Sequence, residues 1–189
     1  MQVQGTSLRD DMERIGRQAR AASDALRSLT RKVKDEALRT VAVRLRDERA
    51  RLKSENVKDL EAGRTKGLSA AMLDRLELND KRIEAMAEGL EIVASLQDPV
   101  GEIVSQTVHP NGLRIAQIRQ AIGVVGIIYE SRPNVTADAA ALCLISGNAC
   151  VLRGGSEAIH SNLAIAQVFI DGCRAAGVPD HAVQMISTT

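Results

Sequence analysis

Between Ile122 and Ile186 the sequence alternates short runs that are apolar on every side with longer amphipathic ones, and few architectures accommodate that order. Ile122 to Tyr129 is apolar on both faces, as a central parallel strand requires. Pro133 to Ser146 reads as a helix that Gly147 ends. Ala149 to Leu152 is a second buried strand. Ser156 is placed to cap the next helix, which runs to about Ala176, where Gly177 and Pro179 stop it. Val183 to Ile186 is a third strand. Strand, helix, strand, helix, strand with short connections calls for right-handed crossovers and a parallel sheet. The fold class is therefore α/β, with residues 121–189 forming the first part of a doubly wound, Rossmann-like sheet.

The preceding residues follow a different period. Leu8, Met12, Ile15, Ala19, Ala22, Leu26 and Leu29 recur at alternating steps of four and three, one stripe on an amphipathic helix. Thr30 stands where an N-cap belongs, ahead of a helix whose apolar side includes Val33, Ala37, Val41, Leu45 and Leu52. Shorter helical patterns follow at Val57 to Glu61 and Ala70 to Leu78. Asn79 or Asp80 then caps a helix carrying Ile83, Ala87, Leu90 and Ala94. The frequent restarts, with Gly63 and Gly67 between them, favour packed helices over a coiled coil. Asp98-Pro99 ends this helical region, 1–98, because proline disfavours helix in the residue before it. In 99–120, two strand-like stretches, Glu102 to Val108 and Leu113 to Gln120, flank His109-Pro110-Asn111-Gly112, and Asn-Gly is a strong hairpin signal.

Composition removes several classes of function. The net charge is +1, so no bulk attraction to nucleic acid or to an anionic membrane exists. Tyr129 and Phe169 are the only aromatics, which excludes a stacking platform for single strands. No apolar run approaches bilayer length, and the N-terminal residues lack a basic stretch followed by an apolar one, as a signal peptide would have. Cys143, Cys150 and Cys173 sit singly in apolar surroundings without metal-type spacing, as small buried hydrophobes do in a reducing compartment. A cytoplasmic protein is expected.

In a parallel sheet, ligands bind beyond the carboxyl ends of the strands, near the N-termini of the following helices. Three loops occupy those positions: Glu130 to Asn134, Arg153 to Glu157, and Ser187 to Thr189. In the second, Gly154 and Gly155 permit a close backbone approach, Ser156 and the free N–H groups of the next helix suit an anion, and Arg153 is placed for a phosphate. The competing reading is a glycine turn with Ser156 as a helix cap and Arg153 paired to Glu157. In the first, Ser131, Arg132 and Asn134 are donors for a carboxylate, a phosphate or an oxyanion; equally, Pro133 and Asn134 simply start a helix. Asp138 falls in the first turns of that helix. His109 and His160 lack an acid or nucleophile partner. Neither Gly-x-Gly-x-x-Gly nor a Walker lysine is present.

The stretch Ile122 to Asn162, IGVVGIIYESRPNVTADAAALCLISGNACVLRGGSEAIHSN, resembles the gamma-glutamyl phosphate reductases of the aldehyde dehydrogenase superfamily. GIIYESRPNVT and SGNACVLRGGSEAIHSN carry the likeness most specifically, and MLDRLELNDKRIEAMAEGL followed by DPVGE extends it, so that it spans about Arg20 to Thr189. The resemblance implies the aldehyde dehydrogenase architecture, with residues 99–120 as a strand arm used in oligomerisation. It implies NADPH-dependent reduction of L-glutamate 5-phosphate to L-glutamate 5-semialdehyde with release of phosphate, a step of proline biosynthesis. On this view Arg153, Gly154, Gly155, Ser156 and Glu157 contact the NADP(H) cofactor, and Ser131, Arg132 and Asn134 lie near the reacting acyl group. A homo-oligomer, and association with glutamate 5-kinase, are the partners implied. The YESRPN and LRGGSE loops argue against a CoA-acylating or ordinary aldehyde dehydrogenase.

The family's nucleophilic cysteine lies in a later domain, and Cys143, Cys150 and Cys173 are not expected to replace it. The chain is thus expected to be an incomplete, inactive portion. The alternative is a non-catalytic nucleotide-binding or subunit-interaction module. With further strands missing, the Val183 to Ile186 strand is expected at an exposed edge with uncovered apolar faces, leaving the chain poorly stable unless it associates.

Overall fold

Residues 7–187 are described in the computed structural model. Five helices come first: α1 (Leu8–Leu26), α2 (Arg31–Asp47), α3 (Arg49–Thr65), α4 (Ala70–Leu76) and α5 (Asp80–Ser95). A hairpin of β1 (Ile103–Val108) and β2 (Arg114–Ile118) follows. Then come β3 (Val124–Ile128), α6 (Asn134–Ile145), β4 (Ala149–Arg153), a 3-10 turn at Ser156–Ala158, α7 (Ile159–Ala175) and β5 (Val183–Met185).

The last three strands form a parallel sheet in the order β3-β4-β5, and the mixed α/β fold expected from the alternation is present. Helices cover both faces. Cys150 pairs in register with Val183, so Cys150 and Gln184 point to opposite sides of the sheet. Gln184 donates its amide to the Ile15 carbonyl of α1, whereas Cys150 meets Cys143 of α6. The helices of the first half share this core: Val41 and Leu45 of α2, Leu90 of α5, Leu144 of α6 and Phe169 of α7 belong to one buried apolar cluster.

Local chemistry sets most boundaries. Ser7 and Asp10 form a capping box at the start of α1. Asn79, not Asp80, caps α5, its Oδ1 accepting from the Arg82 N–H at 3.0 Å. Gly147, with φ of 75°, ends α6 in the left-handed conformation that glycine tolerates. Gly112 (φ 84°) does the same for the hairpin turn, which is closed by the His109 N–H on the Leu113 carbonyl at 2.9 Å.

Several expectations need correction. The stripe read as one helix to Leu52 breaks at Glu48, so Leu52 belongs to α3, and α3 is far longer than the Val57 to Glu61 pattern. Thr30 stands at the N-cap of α2 but makes no side-chain cap bond. Among the described residues β3, expected to be central, lies at an edge, with Ile128 79% exposed; β4 is the central strand. β5 is also an edge strand, yet its faces are covered: Val183 and Gln184 are buried beneath α7 and α1. Ser156 does not cap α7, for a reason that lies in α3.

Candidate functional site

The carboxyl ends of β3 and β4 carry the two loops singled out above, and the structure brings them together. The Tyr129 N–H donates to the Arg153 carbonyl at 3.1 Å, continuing the ladder one step beyond β3. A side-chain carbon on Gly155 would lie in ordinary contact with the Glu130 carbonyl carbon, at 3.5 Å, and the Ser131 nitrogen, at 3.6 Å, so the second loop lies directly against the first; only the Glu157 carboxylate, at 2.6 Å, would have to give way.

In the first loop, the ring of Pro133 presets φ at −58° just ahead of α6. The Val135 N–H donates to the Arg132 carbonyl at 3.1 Å and the Thr136 N–H to the Pro133 carbonyl at 3.1 Å, closing the turn. Asn134 therefore opens the helix, with its side chain free to act elsewhere. Its Nδ2 donates to Asp138 Oδ2, one turn on, at 2.9 Å. An amide nitrogen has two protons, so this bond fixes one and aims the other outward.

Arg132, Pro133, Asn134 and Asp138 line a solvent-open cleft of about 410 Å³ together with Asp74 and Arg75 of α4, Glu77, Leu78, and Arg82, Ala85 and Met86 of α5. Small-molecule sites typically fall between roughly 300 and 1,000 Å³. Arg82 is held in place by the Glu77 carbonyl at 2.9 Å, by the Asp74 carbonyl and by the Asp74 carboxylate at 3.0 Å. The side chains of Arg75 and Arg132 make no hydrogen bond or ion pair among the described residues. Burial pushes the Asp138 carboxyl above its ordinary range, and the bond from Asn134 opposes that shift. Ser131 lies outside this cleft, in a smaller neighbouring depression of about 180 Å³ that Arg75 and Arg132 also line.

In the second loop, Arg153 is exposed at the end of β4, and no ion pair joins it to Glu157. The space beside Gly154 is taken by the protein: a side-chain carbon there would fall 2.1 Å from Asn162 Nδ2 and 3.1 Å from the Tyr129 ring. Asn162 is fully buried, and its Oδ1 accepts from Thr136 Oγ1 at 3.1 Å. Thr136 Oγ1 also shares a hydrogen bond of 2.6 Å with Tyr129 OH. This buried chain locks the base of the first loop to α7. The close approach allowed by Gly154 thus serves internal packing on the side where a side chain would stand.

The N-terminus of α7 is likewise filled from within. Ser156 begins the 3-10 turn and makes no cap bond. The buried carboxylate of Asp59, from α3, accepts from the His160 N–H at 3.1 Å, the Ser161 N–H at 2.7 Å and Ser161 Oγ at 2.6 Å. Those helix N–H groups are not available to an external anion. Arg153 and the hydroxyl of Ser156, both exposed, stay open to one. Asp59 and its neighbour Asn56, which ties Leu76, Leu78 and Ser161 together, were missed in the sequence. The signal was there: Leu52, Asn56, Asp59 and Gly63 recur at helical steps and form the buried face of α3.

None of the three cysteines is poised for attack. All are buried. Burial pushes the Cys173 thiol up to about 12, and Cys150 is raised by the hydrogen bond it gives to Cys143 and by its own burial; Cys143 is lowered by accepting that bond, but it too is shut away from solvent. Among the described residues no helix is long and apolar enough to cross a membrane.

Comparison with known proteins sets these loops in context. Over residues 2–189 the chain matches the aldehyde dehydrogenase family. It is similar to the crystal structure of gamma-glutamyl phosphate reductase from Thermotoga maritima, with 41% identity and a TM-score of 0.92 over 95% of this chain and 44% of that one. With the gamma-glutamyl phosphate reductase of Saccharomyces cerevisiae the identity is 32% and the TM-score 0.88, over 93% of this chain and 46% of that one. An NAD-dependent benzaldehyde dehydrogenase from Corynebacterium glutamicum shares the fold, with a TM-score of 0.73 at 20% identity over 95% of this chain and 36% of that one. The chain spans less than half the length of these solved structures. With its α/β architecture and near-complete match, the chain belongs to the aldehyde dehydrogenase family.

Proposed function

We propose that the protein carrying this chain reduces L-glutamate 5-phosphate with NADPH to L-glutamate 5-semialdehyde, releasing phosphate and NADP+, in proline biosynthesis. The observation that carries this reading is the similarity to two gamma-glutamyl phosphate reductases at 41% and 32% identity over nearly the whole chain.

In this reading the cleft receives the acyl phosphate. The outward N–H of Asn134, oriented by Asp138, stabilises the negative charge that develops on the acyl oxygen. Arg132, beside it and unpaired, attracts the phosphoryl group. Ser131, confined to the neighbouring depression, is the weaker candidate for the oxyanion. NADP(H), when bound, supplies the hydride. The donors that remain around the second loop suit a phosphate of such a cofactor: the exposed Arg153 guanidinium and the Ser156 hydroxyl, with Gly154, Gly155 and Glu157 shaping the turn that presents them. A thioester-forming thiolate is not provided by Cys143, Cys150 or Cys173. The hairpin of β1 and β2, exposed along both strands, is the contact proposed for a homo-oligomer.

Phosphate-dependent reduction of NADP+ by L-glutamate 5-semialdehyde tests the reading in the reverse direction, with the purified protein that carries this chain. Activity that requires phosphate, and falls roughly 100-fold or more in Asn134→Ala, is the expected result. Oxidation of the semialdehyde without phosphate, or with CoA in its place, would overturn it.

The burial of all three thiols favours a second reading, a nucleotide-binding or subunit-interaction module without catalysis. Saturable NADPH binding by the 189-residue chain, lost in Arg153→Ala and unaccompanied by turnover, would place that reading first.

A further inference from the structure

Charges of both signs are left over in the cleft beneath Pro133, and they do not neutralise one another. Asp74 and Glu77 line it but are turned to Arg82, at 3.0 and 3.9 Å. That leaves Arg75 and Arg132 without an acidic partner among the described residues. Asp138 has only the neutral amide of Asn134, and no guanidinium or ammonium reaches it. A partly buried carboxylate and free guanidiniums in one recess would ordinarily close on each other. Here the scaffold holds them apart: Arg75 rides on α4, Arg132 on the turn before α6, and Asp138 on α6 itself. A ligand that carries both signs would pair with all three at once.

We infer that this cleft reads the amino-acid end of its substrate, with Asp138 taking an α-ammonium group while Arg75 and Arg132 take the α-carboxylate and the acyl phosphate. The inference rests on the reading of the previous section and adds to it the groups that distinguish an α-amino acyl phosphate from a simple aldehyde. Asp138 Oδ2 is engaged by Asn134, and Oδ1 is left for the ammonium group. The same carboxylate therefore orients the donor near the acyl oxygen and holds the other end of the molecule. Leu78, Ala85 and Met86 supply an apolar wall for the intervening methylenes, and about 410 Å³ is ample for so small a ligand.

The test uses two stable phosphonates. One is the analogue of L-glutamate 5-phosphate in which a methylene replaces the bridging oxygen, and the other is the same molecule without its amino group. Each is titrated calorimetrically into the purified protein that carries this chain. The amino-bearing ligand is expected to bind roughly tenfold or more tightly, as one charge-assisted hydrogen bond implies. Asp138→Asn, which keeps the shape, should bring the two affinities to within about twofold. Arg75→Ala, at an exposed position, should weaken both ligands alike and leave their ratio unchanged. Equal affinity for the two ligands in the unaltered chain would overturn the inference with no variant needed, and leave the reductase reading standing. So would a preference that survives Asp138→Asn. Binding of neither ligand also overturns it, and the phosphate-dependent assay then decides whether the reductase reading falls with it.

Discussion

Asp138 stands against stability for the sake of its position. Because burial raises its pKa, the folded chain holds that proton more tightly than the unfolded chain does. Stability from this group is therefore greatest below the ordinary carboxylate range, and is lost as pH rises through the folded value. Asp138→Asn should accordingly raise the melting temperature at neutral pH, with the advantage shrinking as the carboxyl protonates in acid. A melting temperature that falls at neutral pH would mean that the carboxylate is compensated by a partner in the fold. Asp59 shows the opposite case. It too is a buried carboxylate, but three donors at the start of α7 surround it. Asp59→Ala leaves two helix N–H groups and the Ser161 hydroxyl proton without an acceptor, and urea denaturation should show a loss of about 3 kcal/mol. A loss well under about 1 kcal/mol would indicate that water replaces the carboxylate. The cap was legible as a need but not as a residue. Local spacing pointed to Ser156, while the group that fills the role lies 101 positions before His160, where no local pattern reaches.

Among the elements, legibility followed how much apolar surface each one shows. α1, α2 and α5 carry clear stripes, and buried residues from Ala19 and Leu26 to Leu90 and Ala94 fall where the period places them, although Leu8, which opens the α1 stripe, is 62% exposed. The hairpin followed from its Asn-Gly turn, since Gly112 supplies the left-handed residue that the turn requires. α3 was cut short because its inward face is built from Asn56, Asp59 and Gly63, which composition reads as polar or breaking. β3 was misplaced because an apolar run on both faces looks the same at a sheet's centre as at an edge. The candidate site was legible by loop, as the carboxyl-end rule gave both loops, but its far wall was not, since Arg75 of α4 joins Asp138 of α6 only as part of the lining of one cleft. The α2–α7 contact was not legible at all, because it depends on an absent side chain. A carbon added at Gly172 would lie 2.5 Å from Val41 Cγ2 and 3.1 Å from Val41 Cα. One helix would have to move, since main chain cannot yield as a side-chain tip can. Gly172→Ala should cost about 1–3 kcal/mol despite its better helix propensity. Unchanged stability would show that the two helices slide freely.

At the scale of the whole chain, apolar surface is distributed unevenly. One buried cluster joins the helices to the sheet, whereas every residue of β1 and β2 is exposed, with Ile103, Val104, Val108, Ile115 and Ile118 each 45% or more accessible. Ile122 and Ile128, at 83% and 79%, extend that surface onto the strand that follows. Within its two strands this exposed antiparallel pair carries a single charged residue, Arg114, and no proline, and a two-stranded ribbon is marginal unless it packs on something. The β5 end of the sheet does not carry the same liability, because α1 and α7 cover that strand. If the chain is unstable alone, the cause thus lies in the hairpin and β3 rather than in the last strand. Sedimentation velocity should show the chain self-associating in a concentration-dependent way, and Ile115→Glu should shift it towards monomer with its far-UV circular dichroism unchanged. Sharp, cooperative unfolding of a dilute monomer, indifferent to Ile115→Glu, would mean that the hairpin is stable without a partner and that the oligomer contact lies elsewhere.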